Sequence, residues 1–156
     1  MSAVLSLGSN LGDRAAHLAV ARAILAAEFP VVAVSSIYET VPVGVTDQPA
    51  FLNQVVVVDS NDADALLAAA HRAEATRGRI RSVRWGPRTL DVDVVSVDAQ
   101  RTDDHRLTLP HPRAHERAFV LLPWLEVDPS AELLGHGSVR ALLRQLDGSA
   151  VRRWGP

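Results

Sequence analysis

Apolar positions recur along the chain with two periods, and the switches between them delimit the elements. Ala3–Leu7 is a short apolar run that predicts a strand. Gly8-Ser9-Asn10 follows, where Ser9 or Asn10 is expected to cap a helix. Leu11, Ala15, Leu18, Leu25 and Phe29 lie near the spacing of one helix face, and Pro30 ends it. Val31–Thr40 is rich in β-formers, and the Pro/Gly stretch from Val41 to Pro49 reads as a loop. Phe51–Asp59, with Val55 to Val58 unbroken, predicts a second clear strand. Ser60-Asn61-Asp62 then caps a helix with Ala63, Leu66, Leu67 and Ala70 on one face and Gly78 as its stop. Arg79–Arg88 is polar and basic and contains Gly86-Pro87, which predicts another loop; Leu90–Val97 is a strand. Beyond it, Asp98–Arg106 is expected to be loop, and Pro110 and Pro112 keep the next stretch extended. His115–Glu126 predicts a helix, Gly135 and Gly137 a turn, and Val139–Leu146 a final short helix.

The core order is β-α-β-β-α-β. That order predicts an α+β, ferredoxin-like arrangement, with an antiparallel sheet, helices on one face and extra C-terminal helices. No repeat or linker interrupts residues 1–156, so one domain is expected. Hydrophobic residues make up 47% and charged residues 22%, a composition that can build a core. Purely apolar runs, such as Val55–Val58 and Ile24–Ala27, fall far short of the ~20 residues of a membrane helix. The N-terminus has no basic, apolar leader pattern, so a cytoplasmic protein is expected.

Charge changes the picture locally. The net charge is −2, which marks neither a nucleic-acid nor a membrane binder. All 16 basic residues are arginine, and cysteine is absent as well. A lysine-bearing phosphate loop, a Schiff-base lysine, thiol catalysis and cysteine metal sites are therefore excluded. Six arginines, Arg72, Arg77, Arg79, Arg81, Arg84 and Arg88, face only Glu74 between Arg72 and Leu90, a local charge of +6 − 1 = +5. A charge run by itself is ordinarily a solvated face. Guanidinium forks, however, fit phosphate oxygens.

Asp91 and Asp93 follow directly, at i and i+2 of a predicted strand. They point to one face with Cα atoms roughly 6.6–7 Å apart. Two adjacent carboxylates disfavour each other's ionisation unless a cation lies between them, and hard oxygen ligands of this kind suit Mg²⁺ with phosphates. Asp-x-Asp alone is a weak signal; beside an arginine-rich loop it supplies what a metal–nucleotide complex requires. Among only seven aromatic residues, Phe51 shares a strand face with Asn53, and Trp85 lies in the arginine loop. A ring plus an amide offers a flat heterocycle a stacking surface and an edge partner, although Phe51 alone would read as core. His111 and His115 are four apart, but Pro112 argues against one helix turn carrying both as metal ligands; His111 reads better as a hydrogen-bonding ligand contact.

The run Arg84-Trp85-Gly86-Pro87-Arg88-Thr89-Leu90-Asp91-Val92-Asp93 resembles the signature of the 6-hydroxymethyl-7,8-dihydropterin pyrophosphokinase family. Gly8-Ser9-Asn10, the Tyr38-Glu39-Thr40 to Asn53 region and Leu107-Thr108-Leu109-Pro110-His111-Pro112 agree in order, so the resemblance runs from about Ala3 to Asp128. It implies pyrophosphate transfer from ATP to a dihydropterin, with AMP released and two Mg²⁺ ions as cofactor. By position, Asp91 and Asp93 match the metal ligands, and Arg79, Arg81 and Arg88, with Asp93, match the catalytic set. Phe51 and Phe119 match the pair that sandwiches the pterin, with Asn53 at its edge and Thr40, Val41, Val43 and the lid residue Trp85 nearby. His71, Glu74, Arg79, Arg81, Trp85, Arg88, Arg106, Thr108, His111, Pro112 and Arg117 match the ATP side. His71 and Pro112 depart from the residues expected there, Gln and an aromatic. The resemblance further implies a monomer acting on small molecules, without nucleic acid or membrane.

Two other classes compete. An RNA-binding ferredoxin-like module would use the fold and the arginines, but it needs exposed strand aromatics that Val55–Val58 and Leu90–Val97 do not supply. A metal-dependent nucleotidyltransferase also uses paired aspartates, and its released product would be pyrophosphate rather than AMP.

Overall fold

The protein is described from a computed structural model, for residues 1–41, 49–77 and 89–155. β1 (Ala3–Ser9), β4 (Phe51–Val58) and β5 (Asp91–Val97) form the sheet centre and one edge, with β1 antiparallel to both neighbours. The opposite side of β4 carries β2 (Val31–Val34) and β3 (Tyr38–Thr40). The β-rich segment Val31–Thr40 thus divides in two. Ser35 makes the break: its N–H donates to the Val55 carbonyl (2.9 Å), and its Oγ accepts the Val55 N–H (2.9 Å). The strand order β3-β4-β1-β5 is the ferredoxin-like order expected from the sequence.

α1 (Arg14–Glu28) and α2 (Ala63–Thr76) lie on one face. Their Leu18, Leu25, Leu66 and Ala70 pack on Leu5, Leu7, Leu52, Val56, Val92 and Val94 of the strands. Each helix starts at an aspartate: Asp13 Oδ1 accepts the Ala16 N–H (3.1 Å), and Asp62 Oδ1 accepts the Ala65 N–H (3.0 Å). The first cap therefore falls later than Ser9 or Asn10. β1 runs on through Ser9, which pairs with Leu52, and Gly12 at φ 67° makes the turn. α2 ends at Thr76, before Gly78, which lies outside the described residues.

The C-terminal part adds a layer on the other face. The expected helix over His115–Glu126 is a 3₁₀ turn (Ala114–Glu116) followed by α3 (Ala118–Val127). α3 packs Val120, Leu121 and Trp124 against Val4, Val55, Val57 and Val95, joined by Val139 of α4 (Val139–Arg144). The two helices of the ferredoxin-like core thus share one face, and the extra helices cover part of the second. Two short ladders complete the fold: β6 (Thr102–Asp103), inside the expected loop, with β7 (Thr108–Leu109) just beyond it, and β8 (Glu132–Leu133) with β9 (Gly137–Ser138) around the predicted turn. β10 (Val151–Arg153) pairs with β3 and becomes the outer strand there. Among the described residues no helix is long and apolar enough to cross a membrane.

Candidate active site

Among the described residues the second sheet face is only partly covered, and the candidate residues occupy its other end. Asp91 of β5, Gly8 of β1 and Asn53 of β4 are direct neighbours across three strands, and Tyr38 of β3 extends the row. Direct neighbours in an antiparallel sheet present side chains to the same face. The next row runs Asp93, Ser6, Val55, and from Val55 onward the valines lie under α3. Small residues in β1 leave a shallow floor. A Cβ built on Gly8 would stand 3.2 Å from Asn53 Nδ2 and 3.9 Å from Phe51 Cδ1.

Phe51 and Asn53 stand two apart on β4 and therefore share this face. Asn53 is buried, and the Thr40 hydroxyl donates to its Oδ1 at 2.6 Å, which fixes the amide's orientation. Thr40 is the register partner of Phe51, so these three residues form one unit across β3 and β4. Val41 is exposed, and its N–H donates to the Ala150 carbonyl (3.2 Å).

On β5, Asp91 and Asp93 are both half-buried. Arg117 Nη1 lies 3.8 Å from Asp93 Oδ2, and its guanidinium carbon sits 5.6 Å from the centre of the Phe119 ring. Phe119 packs at the rim of the α3 cluster. Buried Glu74 reaches from α2 and accepts the Val92 N–H at 2.9 Å, on the residue between the two aspartates. The paired hard oxygens fit Mg²⁺, which binds through one or two carboxylates and completes its shell with phosphate and water.

Among the described residues β5 is the sheet edge, and a cleft of about 250 Å³ runs along it. Leu67 and His71 line it from α2, Asp93 and Val94 from β5, and Arg106, Thr108, His111 and Pro112 from the following segment. Arg106 lies 3.6 Å from Asp104 and 3.7 Å from Asp64. The His111 N–H donates to the Val95 carbonyl (2.8 Å), and its Nδ1 accepts the Arg113 N–H (3.2 Å). Burial first, then the Arg117 and Arg113 charges against the opposing Asp91, lower its pKa to about 4. The ring is therefore neutral at pH 7 and carries its proton on Nε2, as a donor.

The structure thus brings Asp91, Asp93, Asn53, Phe51 and Thr40 to one face and His71, Arg106, Thr108, His111 and Pro112 to one cleft. Glu74 does not line that cleft. Val43, Arg79, Arg81, Trp85 and Arg88 lie outside the described residues. Two arginines of the basic run pair with α1: exposed Arg72 with Glu28, and Arg77, whose Nε donates to His17 Nδ1 at 2.7 Å. Gly8 is the site residue that sequence reasoning passed over, as part of a turn; a glycine directly after an apolar strand run was the available signal.

Comparison with known proteins points to one family. Residues 4–129 match the model of the family described as 7,8-dihydro-6-hydroxymethylpterin-pyrophosphokinase (HPPK). A 2-amino-4-hydroxy-6-hydroxymethyldihydropteridine pyrophosphokinase of Methylorubrum extorquens is 46% identical over 154 residues, covering 97% of both chains. The Mycobacterium leprae enzyme of the same name is 48% identical over 155 residues, covering 92% of this chain and 80% of its own. Among solved structures, a Plasmodium falciparum HPPK-DHPS chain superposes with a TM-score of 0.69 at 15% identity. It covers 92% of this chain, which spans 45% of that longer one, and the likeness concerns the fold. With a match over most of its length and full-length relatives at this identity, the chain belongs to the 7,8-dihydro-6-hydroxymethylpterin-pyrophosphokinase family.

Proposed function

We propose that the protein transfers pyrophosphate from ATP to the hydroxymethyl group of 6-hydroxymethyl-7,8-dihydropterin and releases AMP, a step of folate biosynthesis. One observation carries the reading: the row Asn53–Gly8–Asp91 sets an amide suited to a heterocycle edge and a carboxylate suited to a cation on either side of one strand. The cleft beyond Asp93 then extends the line toward a nucleotide. In this reading Phe51 and Phe119 hold the pterin ring, and Asn53, oriented by Thr40, reads its edge. Val41 and Val43 border it through their backbone. His71, Thr108, Pro112 and Glu74 serve the nucleotide end, with neutral His111 donating from Nε2 and Arg106 and Arg117 facing the phosphates.

Asp91 and Asp93 would hold Mg²⁺, two ions in the proposed site. Bound there, the ions would supply neutralisation of phosphate charge and a lowered pKa for a nearby hydroxyl. The pterin oxygen forms its bond to the β-phosphorus as the bond to the α-phosphate oxygen breaks, and AMP leaves with that oxygen. The hydroxyl proton goes to solvent. The chain's own contribution is alignment and charge complementarity, in which Arg79, Arg81, Arg88 and the lid residue Trp85 take part. The protein acts as a cytoplasmic monomer built as one domain over residues 1–156, on small molecules and without nucleic acid.

The test has two arms. Dihydropterin is titrated into protein with and without Mg²⁺ and a non-hydrolysable ATP analogue, and the products of the full reaction are separated. The nucleotide should strengthen pterin binding, and AMP should appear with a pterin diphosphate in equal amounts. Release of inorganic pyrophosphate would instead indicate nucleotidyl transfer, and absence of coupling between the ligands would overturn the reading.

A further inference from the structure

Arg14 is placed against its local interest. It is the first residue of α1, directly after the capping Asp13, at the helix end where the dipole disfavours a cation. Its side chain is nevertheless three-quarters covered. Nη1 donates to the Ala50 carbonyl at 2.7 Å and to Glu39 Oε2 at 3.2 Å. Those two acceptors belong to the ends of two paired strands. Glu39 precedes Thr40 at the end of β3, and Ala50 precedes Phe51 at the start of β4. Glu39 is the register partner of Leu52, whose side chain lies in the core on the α1/α2 face. Arg14 therefore grips β3 and β4 from the face opposite the one that carries Thr40, Phe51 and Asn53.

Two further contacts reinforce the grip. Arg152 of β10 lies 3.2 Å from the other Glu39 oxygen, and the Asn10 amide donates to the Pro49 carbonyl at 3.4 Å. The carbonyl of Ala50 is one bond from the Phe51 nitrogen, so its position sets where β4 begins. A charge-assisted bond to it fixes the backbone that aims the Phe51 ring and, two residues on, the Asn53 amide.

We propose that Arg14 is a positioning residue for the heterocycle end of the site, acting through Ala50 and Glu39 without touching ligand. This rests on the reading that Thr40, Phe51 and Asn53 bind the pterin. Its effect falls on the pterin and not on the nucleotide, because the nucleotide cleft lies along β5, two strands away from β4.

The experiment compares wild type, Arg14→Ala and Arg14→Lys. Backbone amide shifts of Phe51 and Asn53 by ¹⁵N–¹H NMR read the positioning directly, with Val94 and Val97 as internal references. In Arg14→Ala the amides at 51–53 should move while the references stay. The KM for dihydropterin should rise about tenfold, the loss expected for one charge-assisted bond, with kcat and the KM for ATP within about twofold of wild type. Lysine, which keeps the charge but not the fork, should recover part of the loss. Unmoved amides at 51–53, or an equal loss for both substrates, would overturn the proposal. If wild type itself fails to turn over the dihydropterin, the functional reading falls, and the amide shifts still decide whether Arg14 positions β4.

Discussion

Gly8→Ala separates the site from the stability of the sheet that carries it. Gly8 lies between Asp91 and Asn53, and its φ is not in the left-handed region, so alanine can adopt the backbone. Alanine in place of a strand glycine gains about 0.5–1 kcal/mol from lost freedom of the unfolded chain. Against this, the new methyl would stand 3.2 Å from Asn53 Nδ2, so the amide must yield by a few tenths of an ångström. Asn53 is buried and held by Thr40 at 2.6 Å, so yielding costs a similar amount. The two terms nearly cancel, and Tm should stay within about 4 °C of wild type. Binding has no such compensation. The methyl occupies the floor of the row, and a misaligned edge contact worth about 1.4 kcal/mol lowers pterin affinity tenfold. Calorimetric titration of dihydropterin, with Mg²⁺ and a non-hydrolysable ATP analogue present, reads that loss; titration of the nucleotide alone should be unchanged. Wild-type pterin affinity in Gly8→Ala would refute the assignment of this row as the binding floor. A Tm drop well beyond 4 °C would refute the packing estimate.

Two more outcomes follow from the same geometry. Asp93→Ala should lower turnover by about 10³-fold or more, since it removes half of the carboxylate pair, while Tm changes little because its 3.8 Å ion pair with Arg117 is partly exposed; near-normal turnover would sink the metal assignment. His111, with a pKa near 4 when folded against 6.5 when unfolded, binds fewer protons in the native state between those values. Its contribution is therefore fully present above pH 6.5 and is lost as pH falls toward 4, by about 1–2 kcal/mol after allowance for partial exposure. Denaturant titrations of wild type and His111→Gln from pH 7 to 4.5 should converge by that amount, and parallel curves would count against the burial argument.

The elements legible in the sequence are those whose pattern is set locally. The valine run of β4 and the spaced leucines of α1 and α2 each report their own burial, and Asp62 caps as its position suggests. The two aspartates of β5 share a face because strand side chains alternate, which requires no knowledge of the partners. What was not legible depends on distant partners. Arg72 and Arg77 counted as free positive charge until Glu28 and His17 of α1 came beside them. β10 is three residues long, and it is a strand because β3 offers an edge more than a hundred residues earlier. α3 is apolar almost all round, so its sequence could not say which sheet face it would cover.

That choice of face is what makes the site. Had α3 and α4 joined α1 and α2, the second face would lie open along its whole length, and Val4, Val55, Val57 and Val95 would meet water. Covering those valines leaves the end whose side chains are Asp91, Asp93, Asn53 and Phe51 beyond the apolar cluster. The helix is also fastened at its far end. Glu126 accepts from the Tyr38 hydroxyl (2.6 Å) and from the Ser36 N–H (3.0 Å) and Oγ (3.1 Å). Burial would raise the Glu126 pKa, but those donors and the Arg153 charge hold it below the ordinary carboxylate value, so the clasp is ionic at neutral pH. Tyr38 stands in the same row as Asn53, and the ten residues of α3 span about 15 Å. One short helix therefore ties the β3 side of the sheet, where Asn53 is oriented, to Arg117 and Phe119 beside Asp93. The separation between the Asn53 end and the Asp93 end is thereby held by a helix and three strands.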